Sequence, residues 1–192
     1  MLRGLYDWTM AKAEHPKALW FLAFIAFIES SVFPIPPDII LIPMILAAPR
    51  KAWLYAGVAT LFSVLGGMLG YAIGFFFFET IGQPLLSAMG KADAMAEFNT
   101  RFNGVGFWAV LIAGITPFPY KVITIMSGWT AMPLATFVTT SIIARALRFF
   151  LIAALLRKFG APIRDFIERY LGLVFIAFVV VLLGGFFLVR YL

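Results

Sequence analysis

The chain has 192 residues, of which 63% are hydrophobic and only 12% charged, with a net charge of +6. A soluble domain is nearer half apolar and one-quarter charged, so the composition points to a polytopic membrane protein and speaks against a soluble enzyme or a nucleic-acid-binding domain. There is no cysteine and the single histidine is His15, which removes disulfides and thiolate metal sites and argues against histidine-dependent catalysis.

In chain order, residues 1–17 are mixed in charge and are expected to form an interfacial amphipathic segment rather than a cleaved leader. Apolar residues follow over 18–32 and again over 39–48, separated by FPIPPD. Each piece is shorter than the ~20 residues that a spanning helix needs. Residues 52–78 are long enough to span, and 79–104 form a polar amphipathic connector. Short apolar pieces recur at 105–115 and 122–132, on either side of TPFPYK. A second span is expected over 134–156, then a charged link at 157–170 and a final span at 171–189. The whole reads as one all-α membrane domain over 1–192. A first hairpin plus span occupies 18–78, and a second occupies 105–160.

The two proline clusters align. Shifted by 83 residues, Pro34 falls on Pro117, Pro36 on Pro119 and Asp38 on Lys121. Proline lacks the amide donor and its ring clashes with the preceding turn, so each cluster, with Pro37 in the first, ends one short helix and starts another. Two readings follow: a re-entrant hairpin at each cluster, or two proline-kinked helices. Re-entry returns each hairpin to its own side of the membrane. It places Arg3, Lys12, Lys17, Arg50, Lys51, Arg157, Lys158, Arg164 and Arg169 on one face, and Lys91, Arg101 and Arg190 on the other. That asymmetry obeys the positive-inside rule, with the N-terminus cytoplasmic and the two units inverted.

Five ionisable residues remain inside apolar segments: Glu29, Asp38, Lys121, Arg145 and Arg148. Such residues pair, face cavities and mark functional paths. Asp38 also suits an N-cap. Lys121 suits none, because a cation is unfavourable at a helix N-terminus. Arg145 and Arg148 share a helix face, and Arg145 stands ~18 Å before Arg157 along a helix. Three cations beside helix N-termini fit a phosphate. The carboxylates fit salt-bridge partners or proton carriers, and Asp38 is expected to approach Lys121 or Arg145. Gly66, Gly70 and Gly74 form a ridge for close helix packing. Phe75 to Phe78, Trp53, Trp108 and Trp129 are read as lipid-facing or interfacial.

ESSVFPIPPDIILIPMILAAP, GITPFPYKVITIMSGW and ARALRFFLIAALLRKFG together resemble the DedA family of bacterial inner-membrane proteins, and within it the YqaA-like branch. That family belongs to the VTT-domain, or SNARE-associated Golgi, superfamily. The resemblance implies two opposed re-entrant hairpins and lipid transport. Its cargo would be undecaprenyl phosphate or phospholipid, with protons as a coupling ion. The family's acidic residues fall on Glu29 and Asp38 and its second-half basic residue on Lys121. Where larger members carry a further arginine before the second tip, this chain has Gly114-Ile115-Thr116. No cofactor, metal or enzymatic step is expected, because the apolar segments hold no histidine and no nucleophile–base pair is evident. The partners expected are membrane lipids with anionic phosphate head groups, and a homo-oligomer is compatible with the sequence. A proton-coupled transporter of small ions or solutes is the alternative function.

Overall fold

The computed structural model describes residues 16–32, 36–89, 92–116, 119–160 and 162. The expected segment at 1–15, the final span at 171–189, and the tip residues Pro34 and Pro117 lie outside them. The described residues form helices and turns, with no strand among them. Helix α1 (Pro16–Glu29) has proline at its first position, where no amide donor is needed. Helix α2 (Asp38–Ala47) follows Pro36 and Pro37 and tolerates Pro43 inside its ten residues. A single 3₁₀ turn, Pro49–Lys51, leads into α3 (Ala52–Phe77). A π-helical turn, Phe78–Gly82, continues α3 into α4 (Gln83–Ala88). Then come α5 (Ala92–Ile115), α6 (Tyr120–Trp129) and α7 (Leu134–Gly160).

Two helical stretches, Pro49–Leu85 and Leu134–Gly160, are long and apolar enough to cross a membrane. They run antiparallel. Trp53 near the start of α3 stacks on Phe150 with ring centroids 5.8 Å apart, Ser63 at mid-length meets Arg145, and Tyr71 lies 5.2 Å from the Phe137 ring. Two separate cores form at the two ends of this frame. Leu22 of α1 and Ile40, Leu41, Met44 and Ile45 of α2 pack on Ala52–Ala59 of α3 and on Phe149, Ala153 and Leu156 of α7. At the other end, Val110 and Ala113 of α5 and Tyr120 and Ile123 of α6 pack with Met132 and Phe137, and Tyr71 joins from α3. One short helical pair therefore sits on each half of the frame, and both pairs turn beside its middle.

Glycines make these contacts close. A Cβ at Gly66 would overlap the Phe27 carbonyl of α1, one at Gly74 the Ile125 carbonyl of α6, and one at Gly128 the Tyr71 carbonyl of α3. The ridge expected from the sequence is thus the surface that seats both short pairs. Helix α6 ends in a Schellman motif: the Met132 amide donates to the Ser127 carbonyl at 2.9 Å and the Ala131 amide to the Gly128 carbonyl at 3.0 Å. That motif puts Ala131 at φ 50°, a position usually filled by glycine.

Three expectations change. The apolar residues from 105 do not begin a new helix, because residues 92–115 are one helix whose character changes from polar to apolar along its length. Asp38 is not an N-cap. It is the first residue of α2, Pro37 takes the cap position, and no side chain caps the helix. Trp129 is not a lipid-facing anchor: its ring packs against Phe77 and Phe78, with centroids 6.0 and 5.1 Å away. Trp108 and Phe76, at 61% and 64% exposure, do face outward.

Candidate functional site

The five ionisable residues singled out in the sequence come together where the two short pairs turn. Glu29 ends α1, Asp38 begins α2, Lys121 lies in the first turn of α6, and Arg145 and Arg148 stand near the middle of α7. They form two ion pairs and one lone cationic contact.

The deeper pair joins Arg145 to Glu29, with Nη2 3.0 Å from Oε2 and the arginine side chain 3% exposed. The Arg145 Nε donates to the Ser63 hydroxyl at 2.5 Å. With its oxygen accepting from arginine, Ser63 can donate to Ser30 Oγ at 2.7 Å, and Ser30 in turn lies 3.0 Å from the Ala26 carbonyl and 3.1 Å from Glu29 Oε2. Aromatic rings close the remaining faces. The guanidinium carbon is 4.6 Å from the Tyr120 centroid and 4.7 Å from the Phe149 centroid. Stacking of this kind suits a planar, weakly hydrated cation. One arginine thereby ties together α1, α3, α6 and α7.

The second pair joins Arg148 Nη2 to Asp38 Oδ2. Arg148 Nη1 also donates to the Thr116 carbonyl at 2.5 Å and approaches the Ile115 carbonyl at 3.4 Å. This arginine thus bridges the start of α2 to the end of α5. Arg148 is less buried than Arg145, with 15% of its side chain exposed against 3%, whereas Asp38 at 17% is close to Glu29 at 14%. The pair is also incompletely satisfied: Asp38 Oδ1 and Arg148 Nε are buried without a hydrogen-bond partner. Lys121 Nζ donates to the Val32 carbonyl at 3.3 Å, reaching from the second turn region to the first. Thr124 reinforces that junction through the Ser30 carbonyl at 3.1 Å.

The expected pairing of Asp38 with Lys121 or Arg145 is therefore corrected. Asp38 starts α2, which packs toward Phe149 and Ala153 of α7, and its carboxylate meets Arg148. Glu29 takes Arg145 instead, and Lys121 meets a backbone carbonyl. Sequence reasoning also passed over Ser63, Tyr120 and Thr116. A serine midway along an apolar span was the available signal for the first. A tyrosine directly before Lys121 was the signal for the second. Thr116 acts through its carbonyl, which leaves no trace in residue type.

Among the described residues, no three His, Cys, Asp or Glu side chains converge on a point that could hold a metal. What the cluster offers is charge: cations with spare donors and carboxylates with spare acceptors, held between apolar helices. Such a set can exchange its internal partners for an anionic ligand or for protons.

Comparison with known proteins agrees with this architecture. The VTT domain matches residues 35–158, from the end of the first turn region through the second turn region and nearly all of α7. An uncharacterized protein of Haemophilus influenzae is 39% identical over 168 residues, covering 85% of this chain and 87% of its own length. An uncharacterized protein of Histophilus somni is 39% identical over 184 residues, covering 93% and 95%. No solved structure matches the chain. With most of Asp38 through Arg157 inside one domain match, and the apolar frame expected of a membrane protein, the chain belongs to the VTT-domain family, the DedA and SNARE-associated group.

Proposed function

We propose that this protein moves phosphate-bearing lipids, undecaprenyl phosphate or a phospholipid, across the bacterial inner membrane as a flippase or scramblase, with protons as a coupling ion. The observation that carries the reading is the junction itself. Two cations, Arg148 and Lys121, meet the turn regions of both short pairs, and Arg148 and its partner Asp38 each keep one buried polar atom free. A phosphate has acceptors enough to take up such donors, and arginine is well suited to bind it.

The architecture fits that task. Helix α1 has 14 residues and α2 has 10, or ~21 and ~15 Å at 1.5 Å per residue. Both are shorter than the ~30 Å hydrocarbon core. They reach the middle of α3 and α7 from one end; from the other the 10-residue α6 does so, paired with the apolar second half of the 24-residue α5. In this reading they are inverted re-entrant hairpins whose tips meet at mid-depth, in the manner of a YqaA-like DedA protein with a cytoplasmic N-terminus. Freed backbone groups at such tips must be satisfied by protein or water. Arg148 on the Ile115 and Thr116 carbonyls and Lys121 on the Val32 carbonyl do this. Arg148 also stands beside Gly114-Ile115-Thr116, where larger members of the family carry their own arginine.

Transport in this scheme is partner exchange. With no cargo, Asp38 neutralises Arg148. Protonation of Asp38 releases the guanidinium to a lipid phosphate, and loss of the proton displaces the phosphate again. The test is flipping of fluorescent polyprenyl phosphate and fluorescent phospholipid by purified protein in liposomes, with and without a proton gradient. Flipping that is lost in Arg148→Gln supports the reading. Wild-type protein that flips neither lipid but carries protons with a small solute would replace it with the ion-transporter alternative.

A further inference from the structure

Two groups of cations stand out among the described residues. Arg145, Arg148 and Lys121 belong to the junction already described. A second group, Arg50, Lys51, Arg157 and Lys158, lies at the end where the 3₁₀ turn meets the start of α3 and where α7 closes. All four are exposed. The ends converge: Ala52 and Leu156 share one core, and Gly160 approaches Leu46 of α2. Glu29 and Asp38 are engaged at mid-frame, whereas Glu79 and Glu97 stand toward the far end of α3, with Glu97 paired to Arg101. With Lys17 at the start of α1, this end gathers five cations and no carboxylate among the described residues.

Aromatic rings order part of that charge. The Arg157 guanidinium lies 5.7 Å from the Trp53 centroid, and Trp53 stacks in turn on Phe150 at 5.8 Å and 19°. Tryptophan beside basic residues is the arrangement found at the head-group level of a bilayer. Below this column the surface is apolar and open. On α3 the face continues through Gly57, whose side-chain direction has nothing within 4 Å, to Leu61 at 57% exposure. On α7 it continues through Leu147 at 54%. The missing side chain of Gly57 leaves an open slot in this apolar face, below the stacked Trp53 and Phe150 rings and the cationic cap.

We propose that this end is a binding site for an anionic phospholipid that stays with the protein, distinct from the junction and from any cargo. The head-group phosphate is held by Arg157 and its neighbouring cations, and an acyl chain lies in the slot at Gly57. Clusters of basic residues at the membrane edge of helices recognise anionic head groups, each cation contributing attraction within a Debye length of the surface. The occupant is a lipid rather than a free anion, because the apolar slot is continuous with the charge.

The test uses the full-length protein in detergent, by native mass spectrometry and by thermal unfolding. The probes are phosphatidylglycerol, phosphatidylcholine and sodium phosphate. Phosphatidylglycerol should be retained and should raise the melting temperature, while phosphatidylcholine and phosphate should not. Arg157→Gln with Lys158→Gln should weaken retention roughly thirtyfold, from about fivefold per cation. Gly57→Leu should weaken it by filling the slot, and Arg101→Gln at the other end should leave it unchanged. Equal retention of phosphatidylcholine, an equal melting shift with phosphate alone, or undiminished retention in the double variant would overturn the proposal. Retention is scored on the mass of folded protein, so a variant that unfolds is replaced by Arg157→Gln alone. The junction residues are intact throughout, so the result does not depend on transport.

Discussion

The two ion pairs are made from the same residue types on adjacent turns of α7, yet their surroundings differ. Arg145 and Glu29 are sealed by Ser63, Ser30 and two aromatic rings. Arg148 and Asp38 sit at a partly open junction, and each keeps a buried polar atom without a partner. A pair enclosed by serines and aromatic rings holds elements in register, because breaking it strands a charge. A pair with unsatisfied polar atoms can trade partners. On that contrast we assign Arg145 to assembly and, under the proposed function, Arg148 to ligand exchange, although both resemble ligand residues in the sequence.

Breaking the sealed pair should have the largest effect. Arg145→Ala leaves Glu29 buried without its cation, and loss of one partner of a buried pair typically costs ~3–5 kcal/mol. The variant should show a large fall in melting temperature and in yield of folded protein. Arg145→Ala that melts like wild type would erase the distinction between the pairs.

Next in size is the packing that brings the sealed pair together. Gly66→Ala drives a methyl into the Phe27 carbonyl, two residues before Glu29. Overpacking of this kind costs about 1–3 kcal/mol. Because it displaces α1, its effect should combine with Arg145→Ala to less than the sum, as expected for coupled neighbours. Strict additivity in a double-mutant cycle would show that Gly66 and the pair act independently.

How far the sequence reached follows the same division. All five junction residues were legible, because an ionisable group inside an apolar run stands out at once. The glycine ridge was legible from its four-residue spacing. The pairing was not. Arg145 and Arg148 share one helix face, and only the approach of α1 and α2 decides which carboxylate meets which guanidinium. Continuity of α5 through residue 105 was hidden because hydropathy changes there while backbone helicity does not. The π turn at Phe78–Gly82 carries no residue signature. It lies where the Trp129 ring crowds Phe77, Phe78 and Gly82, a tertiary event.

Asp38→Asn probes the open pair. Arg148 keeps the Thr116 and Ile115 carbonyls, so the stability loss should be about 1 kcal/mol, well below that of Arg145→Ala. Flipping should instead fall by tenfold or more, since the neutral amide cannot take up and release a proton. Reversing the pair as Asp38→Arg with Arg148→Asp should recover more stability than either single change. A double variant no better than the worse single one would exclude direct pairing.

The smallest structural effect is expected at Lys121. Among the described residues its partner is one backbone carbonyl at 3.3 Å, in exposed surroundings, and a single hydrogen bond of this kind contributes about 1 kcal/mol or less. Lys121→Ala should melt within a few degrees of wild type. Its place at the junction makes the functional expectation different in kind. If the proposed function holds, removing this cation from the phosphate site should weaken lipid binding roughly ten- to a hundredfold. Lys121→Arg should restore much of the activity by returning the charge, and Lys121→Gln should not, although glutamine can still donate to the Val32 carbonyl. That contrast separates charge from hydrogen bonding. If Lys121→Gln flips lipid as well as wild type does, the lysine serves only to tie the two turn regions together, and Arg148 is left to bind phosphate alone.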